Sequence, residues 1–97
     1  MEFEWDQEKS RSNEQKHGIS FEDAICLWDG ICMEIEDLAH SNDGEKRSAT
    51  LGRIGSKAYV AIWTRRGKTL RLISVRRARI HEEEIIDEKI QECKRDG

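Results

Sequence analysis

The chain has 97 residues, 36% hydrophobic and 38% charged, with a formal charge of −3 and no proline. That length predicts one domain over residues 1–97 with a thin core, of a size that buries about 60–70% of its unfolded surface. No segment nears the roughly 20 apolar residues of a membrane span. Residues 1–6 lack the basic and apolar regions of a signal peptide, so a cytoplasmic protein is expected.

Phe3-Glu4-Trp5 alternates apolar with charge and predicts a short strand. Asp6 is the N-cap of a helix from 7 to about 16, stopped by His17-Gly18. That helix contains no aliphatic or aromatic residue. It has no apolar stripe to bury, so a solvated or ligand-contacting face is expected. Ser20 caps a second helix, with Asp23 in place of the usual Glu of a capping box. Phe21, Ala24, Ile25 and Trp28 fall at i, i+3, i+4 and i+7, which makes one apolar face and places Trp28 in the core. Asp29-Gly30 ends it.

Strands follow at 33–38, 48–54, 57–64 and 69–76, joined by a polar turn at 40–45, a hairpin turn at Gly55-Ser56 and a turn over Arg65 to Lys68. In the third, Ala58, Val60 and Ile62 point one way and Tyr59, Ala61 and Trp63 the other. From about 79 to 93 the period is helical again, with Ile86, Ile90 and Cys93 as its stripe and Ile85 at the margin. Glu82, Glu83 and Glu84 fill its first turn and Lys94-Arg95 follow its end, both favourable to the helix dipole. The order predicts an α+β domain, with N-terminal helices and a C-terminal helix packed on one face of a small antiparallel sheet.

Charge is segregated along the chain. The 36 residues from Lys46 to His81 hold eleven Lys or Arg and no Asp or Glu, a formal +11; six basic residues against twenty acids elsewhere make −14. A cationic block that alternates apolar residues reads as folded sheet with a surface for a polyanion such as nucleic acid. Arg71 alternates away from Leu70 and Leu72, toward an open face. Simple alternation puts Arg76 on the other face, with Leu70, Leu72 and Ser74. A bulge near Ile73-Ser74 would instead bring Arg71, Ser74 and Arg76 together.

Lys16-His17 offers a proton-transfer group beside a phosphate-stabilising cation. Trp5, Tyr59 and Trp63 read as core, with base stacking as the alternative. His40 and His81 have no partners at ligand spacing. Cys26, Cys32 and Cys93 form no Cys-x-x-Cys pair, which argues against a disulfide framework or a zinc site; Cys26 and Cys93 are expected to be packed, reduced thiols. There is no glycine-rich phosphate loop, Ser-His-Asp signature or metal-ligand cluster, and no cofactor is expected.

Several ordered motifs carry a resemblance. They are Phe3-x-Trp5-Asp6-x-x-Lys9, Asn13-x-x-Lys16-His17-Gly18-Ile19-Ser20-Phe21-Glu22-Asp23-Ala24, His40-Ser41, Glu45-Lys46-Arg47, Thr64-x-Arg66-Gly67 and Leu70-Arg71-Leu72-Ile73-Ser74-x-Arg76-Arg77-Ala78. Over about residues 2–80 the chain resembles the BrnT family of toxins from type II toxin–antitoxin systems. The resemblance implies a RelE-like α+β fold and a metal-independent ribonuclease that cleaves RNA and arrests translation and growth. It implies a tight complex with a cognate BrnA-type antitoxin, which alone contacts operator DNA; a heterotetramer of toxin and antitoxin is one arrangement.

Residue by residue, Lys16 and His17 fall on the family's Lys-His pair, and Arg66, Arg71 and Arg76 on its arginine positions. These five are the implied catalytic set, and Arg47, Lys68 and Arg77 the implied RNA-binding set. The departures are Asp29-Gly30 for Asp-Pro, Arg65 for an acid, altered residues at Val75 and Arg79, and Glu82-Glu83-Glu84-Ile85-Ile86 where Glu-Arg and Tyr signals are common. The alternative is a non-catalytic module that binds nucleic acid or docks an antitoxin.

Overall fold

A computed structural model describes residues 2–40 and 46–96. In chain order the elements are β1 (Glu2–Glu4), α1 (Gln7–His17), α2 (Phe21–Ala24), a 3-10 segment (Ile25–Asp29), β2 (Cys32–His40), β3 (Lys46–Ile54), β4 (Lys57–Arg66), β5 (Thr69–Arg77) and α3 (Ile80–Asp96). The expected polar turn after β2 lies mostly outside the described residues.

The sheet order is β1-β5-β4-β3-β2. Strands β2 to β5 form the expected antiparallel meander, but β1 runs parallel to β5, pairing Glu2 to Glu4 with Thr69 to Arg71. The sheet is therefore mixed, not purely antiparallel. The meander enters at the far edge and winds back, so its last strand meets β1 in the same direction. That pairing covers three residues of an otherwise open strand edge.

The helices also divide between both faces, where one face was expected. Ile19, Phe21, Ala24 and Leu27 pack on Tyr59, Ala61, Trp63, Leu70, Leu72 and Val75. On the other face, Ile86 of α3 closes over Ala49, Leu51, Ala58 and Val60. Strand β4 alternates apolar side chains to both sides, so each face needs cover. Helix α3 supplies the second cover over β2 and β3. Trp63 is only 2% exposed, and its Nε1–H donates to buried Thr50 Oγ1 at 2.9 Å, which makes it core.

Caps hold as the sequence predicts. Asp6 Oδ1 accepts from Glu8 and Lys9 N–H, Ser20 Oγ accepts from Asp23 N–H, and Gly18 at φ 76° ends α1 in a left-handed turn. The second helix departs from expectation after one turn. It tightens to 3-10 winding, which eclipses i and i+3, so Phe21, Ala24 and Leu27 go under in steps of three. Cys26 is consequently exposed, and Trp28 is half-buried, edge-on to Phe3 at 5.0 Å. The 3-10 segment lies close on β3. A Cβ at Gly52 would stand 3.3 Å from Leu27 Cδ2, so only glycine fits there without a shift.

Cys93 is likewise exposed, not packed: residues 91–94 all face solvent, so this turn of α3, just past Ile90, does not pack on the sheet. The β4–β5 turn is shorter than expected, because Arg65 and Arg66 belong to β4 and only Gly67-Lys68 turn. No described helix is long and apolar enough to cross a membrane.

Candidate active site

The register of β5 decides which arginines share a face. Its pairing with β4 runs Trp63↔Leu72 and then Ile62↔Ser74, so Ile73 is an extra residue, a β-bulge. Val75 thereby returns to the face of Leu70 and Leu72, where it is fully buried. Arg71, Ser74 and Arg76 align with Thr64, Ile62 and Val60 on the opposite face. The same alternation puts Arg66 of β4 and Arg47 of β3 on that face. Helix α3 packs mainly over its β2–β3 side, and reaches β4 at Ala58 and Val60 through Ile86.

Arg65 and Arg77 point the other way, stacked over Trp63 at 5.6 Å and Tyr59 at 5.7 Å. Lys68 sits exposed in the β4–β5 turn. Of the eight residues singled out from sequence, four arginines thus share one face, while Arg77 and Lys68 stand apart from them.

The arginine face is not acid-free in space. Arg71 Nη1 lies 3.3 Å from Glu4 Oε2 of the neighbouring β1. Arg76 is held from α3 by a two-pronged pair, Nη1 to Glu82 Oε1 at 2.8 Å and Nη2 to Oε2 at 2.9 Å. Arg53, on the same face, also makes a two-pronged pair, through Nε to Asp87 Oδ1 at 2.9 Å and Nη2 to Oδ2 at 3.1 Å. Glu82 also accepts from Arg79 N–H at 2.8 Å, the return half of a capping box at the start of α3. One carboxylate therefore anchors the helix and grips the last site arginine.

Hydrogen bonds from Arg76, helped by Arg79 N–H and both positive charges, hold the Glu82 carboxyl down to about 2 from its ordinary 4.5, against the opposing effect of burial. A depressed carboxylate stabilises the fold above its unfolded pKa and loses that contribution as pH falls through the folded value. The melting temperature is expected to fall between about pH 5 and pH 2. Asp87, held low by Arg53, acts in the same direction. Glu82→Gln should therefore shallow that fall without abolishing it; an unchanged slope in thermal melts across this range would refute the assignment.

The polar helix α1 lies against the edge of β5 just past the end of β1. It does bury a stripe, made of Ser10 (3% exposed) and Asn13 (6% exposed). Both are satisfied by backbone, as buried polar groups must be. Ser10 Oγ accepts from Phe21 N–H at 2.9 Å. Asn13 Nδ2–H donates to Ile19 O at 2.9 Å while its Oδ1 accepts from Val75 N–H at 3.1 Å. One turn further, Lys16 and His17 are exposed at the helix end. Between this helix and the bulge runs a shallow groove of about 170 Å3, lined by Lys9, Ser12, Asn13, Lys16, His17, Phe21, Ile73 and Ser74.

Ser74 lines the groove that holds Lys16 and His17, and its register also puts it on the arginine face. Lys9 and Ser12 were not among the site residues picked from sequence. Their signal is helical spacing, since Lys9, Ser12 and Lys16 fall at i, i+3 and i+7.

A family model described as the ribonuclease toxin BrnT of type II toxin–antitoxin systems matches residues 5–82. The chain belongs to the BrnT family. A comparison with curated proteins finds no match. BrnT proteins are ribonuclease toxins with a protein antitoxin as partner, and the match takes in α1, strands β2 to β5 and the Glu82 anchor of α3, but not β1. Most of α3 lies beyond the matched residues. Among the other reactive groups, Cys32 is a poor nucleophile: burial first, and then Glu34, push its thiol up.

Proposed function

We propose that this BrnT protein is a RelE-like, metal-independent endoribonuclease whose site is the junction at Ser74, and that it arrests translation and growth until a BrnA-type antitoxin neutralises it. The observation that carries this reading is the bulge at Ile73. It turns Arg71, Ser74 and Arg76 to one face and sets Ser74 beside Lys16 and His17 in one groove.

In the proposed reaction the ribose 2′-oxygen attacks the adjacent phosphorus. The 2′-O–P bond forms, the bond to the 5′-oxygen breaks, and the products are a 2′,3′-cyclic phosphate and a 5′-hydroxyl. His17 takes the 2′-OH proton or delivers one to the leaving oxygen; an imidazole suits either task near neutral pH. Lys16 stabilises charge, or acts as the alternative base. Arg66, Arg71 and Arg76 stabilise the phosphorane, because a guanidinium fork donates two hydrogen bonds to one phosphate. Arg47 and Lys68 would extend RNA contact along the sheet face and its turn. Arg77 stacks over Tyr59 on the opposite face, so this reading leaves it out of the RNA path.

The test is purified protein incubated with RNA in excess EDTA. Fragments ending in 2′,3′-cyclic phosphate, and their loss when a BrnA-type antitoxin is added, are the expected result. Salt-sensitive retention of intact RNA would instead make the cationic face a binding surface only.

A further inference from the structure

We propose that Asn13 is a positioning residue of the ribonuclease site, which sets the Lys16–His17 end of α1 against the bulge of β5; this inference rests on the site proposed above. Strand β1 pairs with β5 only as far as Arg71. Beyond that point the outer edge of β5 has no strand partner among the described residues, and Val75, whose N–H faces that edge, is buried. Asn13 supplies the missing acceptor with its Oδ1 at 3.1 Å, and its Nδ2–H is committed to Ile19 O at 2.9 Å. A carboxamide carries a donor and an acceptor on one rigid plane, so it can bridge two backbone segments with fixed spacing.

The two segments are the ones that matter to the site. Val75 lies between Ser74 and Arg76, directly after the extra residue Ile73. Ile19 follows Gly18, whose left-handed turn ends α1. Lys16 and His17 stand three and four residues past Asn13, on the same side of the helix. The bridge therefore ties the helix end, the turn behind it and the bulged strand into one unit. Ser10 provides a contrast. It is equally buried on the same helix, but its bond goes to Phe21 N–H and does not touch β5.

The experiment compares RNA cleavage and thermal melting for the full chain carrying Asn13→Ala, Asn13→Asp, Ser10→Ala, His17→Ala and the double change at Asn13 and His17. Asn13→Ala is expected to lower kcat by about 10–100-fold, the effect of misplacing a reacting group by an ångström or less. KM should stay within about threefold, since the groups that bind RNA remain. Ser10→Ala, with a similar loss in melting temperature, should cleave far better. In the His17→Ala background, Asn13→Ala should cost less than about threefold, because an absent imidazole cannot be misplaced.

Asn13→Asp keeps the acceptor for Val75 and loses the donor to Ile19. It is expected to fall between the extremes, and it carries the same comparison if Asn13→Ala does not fold. Two results overturn the proposal: a loss no larger than that of Ser10→Ala, or an undiminished loss in the His17→Ala background. Full cleavage by His17→Ala overturns the underlying site assignment instead, and is read independently of Asn13.

Discussion

His17→Ala is expected to lower RNA cleavage by about 10²–10⁴-fold, the usual worth of a positioned general acid or base. The side chain is exposed on the last turn of α1, and the groove it lines is open to solvent. Its loss should leave stability within about 0.5 kcal/mol, as for other surface changes. A drop in cleavage with an unchanged melting curve therefore reports chemistry and not folding. In cells, the same variant should permit growth without antitoxin. Single-turnover cleavage is the deciding measurement, because product release could mask a slower chemical step. Cleavage at the rate of the unchanged protein would remove His17 from the mechanism and leave Lys16 as the base to test.

Arg71→Ala is expected to cost about 10²–10³-fold in kcat, the range found when one donor to a developing oxyanion is removed. Arg71→Lys keeps the charge and loses the fork, so it should recover only part of the rate. Arg71 is a half-buried strand residue, and its pair with Glu4 lies at the surface, with side chains 30% and 41% exposed. Such a pair is worth at most about 1 kcal/mol. Glu4→Gln breaks the same pair from the other side and serves as the control. If Glu4→Gln reproduced the loss, Arg71 would act by holding β1 in place and not by meeting phosphate.

The contacts of the arginines alter the meaning of the charge segregation. A stretch of 36 residues without an acid suggests an unopposed cationic face. In the fold, acids from outside the stretch come back to it: Glu4 from the edge strand, and Glu82, Glu83 and Asp87 from α3. Charge composition reads proximity along the chain, whereas Coulomb energy depends on distance in space. Arg71 and Glu4 are 67 positions apart and still meet at 3.3 Å. No window along the chain could have paired them.

Local chemistry was legible where it was short-range. Asp6, Gly18 and Ser20 bound the N-terminal helices through caps that need only a few neighbouring residues. The two-sided alternation of β4 was also visible, and it already implied a cover for each face, although one covered face was the expectation drawn. The bulge was legible as a condition: Arg71 and Arg76 can share a face only if the strand gains a residue between them. The 3-10 winding after Ala24 was not legible. An apolar spacing of i, i+3, i+4 and i+7 is an α-helical pattern, and the choice of Leu27 over Ile25 and Trp28 for the deepest position was made by the close approach to Gly52.

By itself the sequence determined the order of elements, the caps, the cationic strands and the Lys16–His17 pair, because each rests on periodicity or on contacts within a few residues. Tertiary structure alone decided that β1 joins β5 in parallel, that α3 takes the second face, and that Glu82 grips Arg76. It also decided that Asn13 completes the edge of β5 across 62 positions of chain. These are pairings between segments that meet only after the sheet has formed, and such pairings depend on which groups remain unsatisfied at its faces and edges.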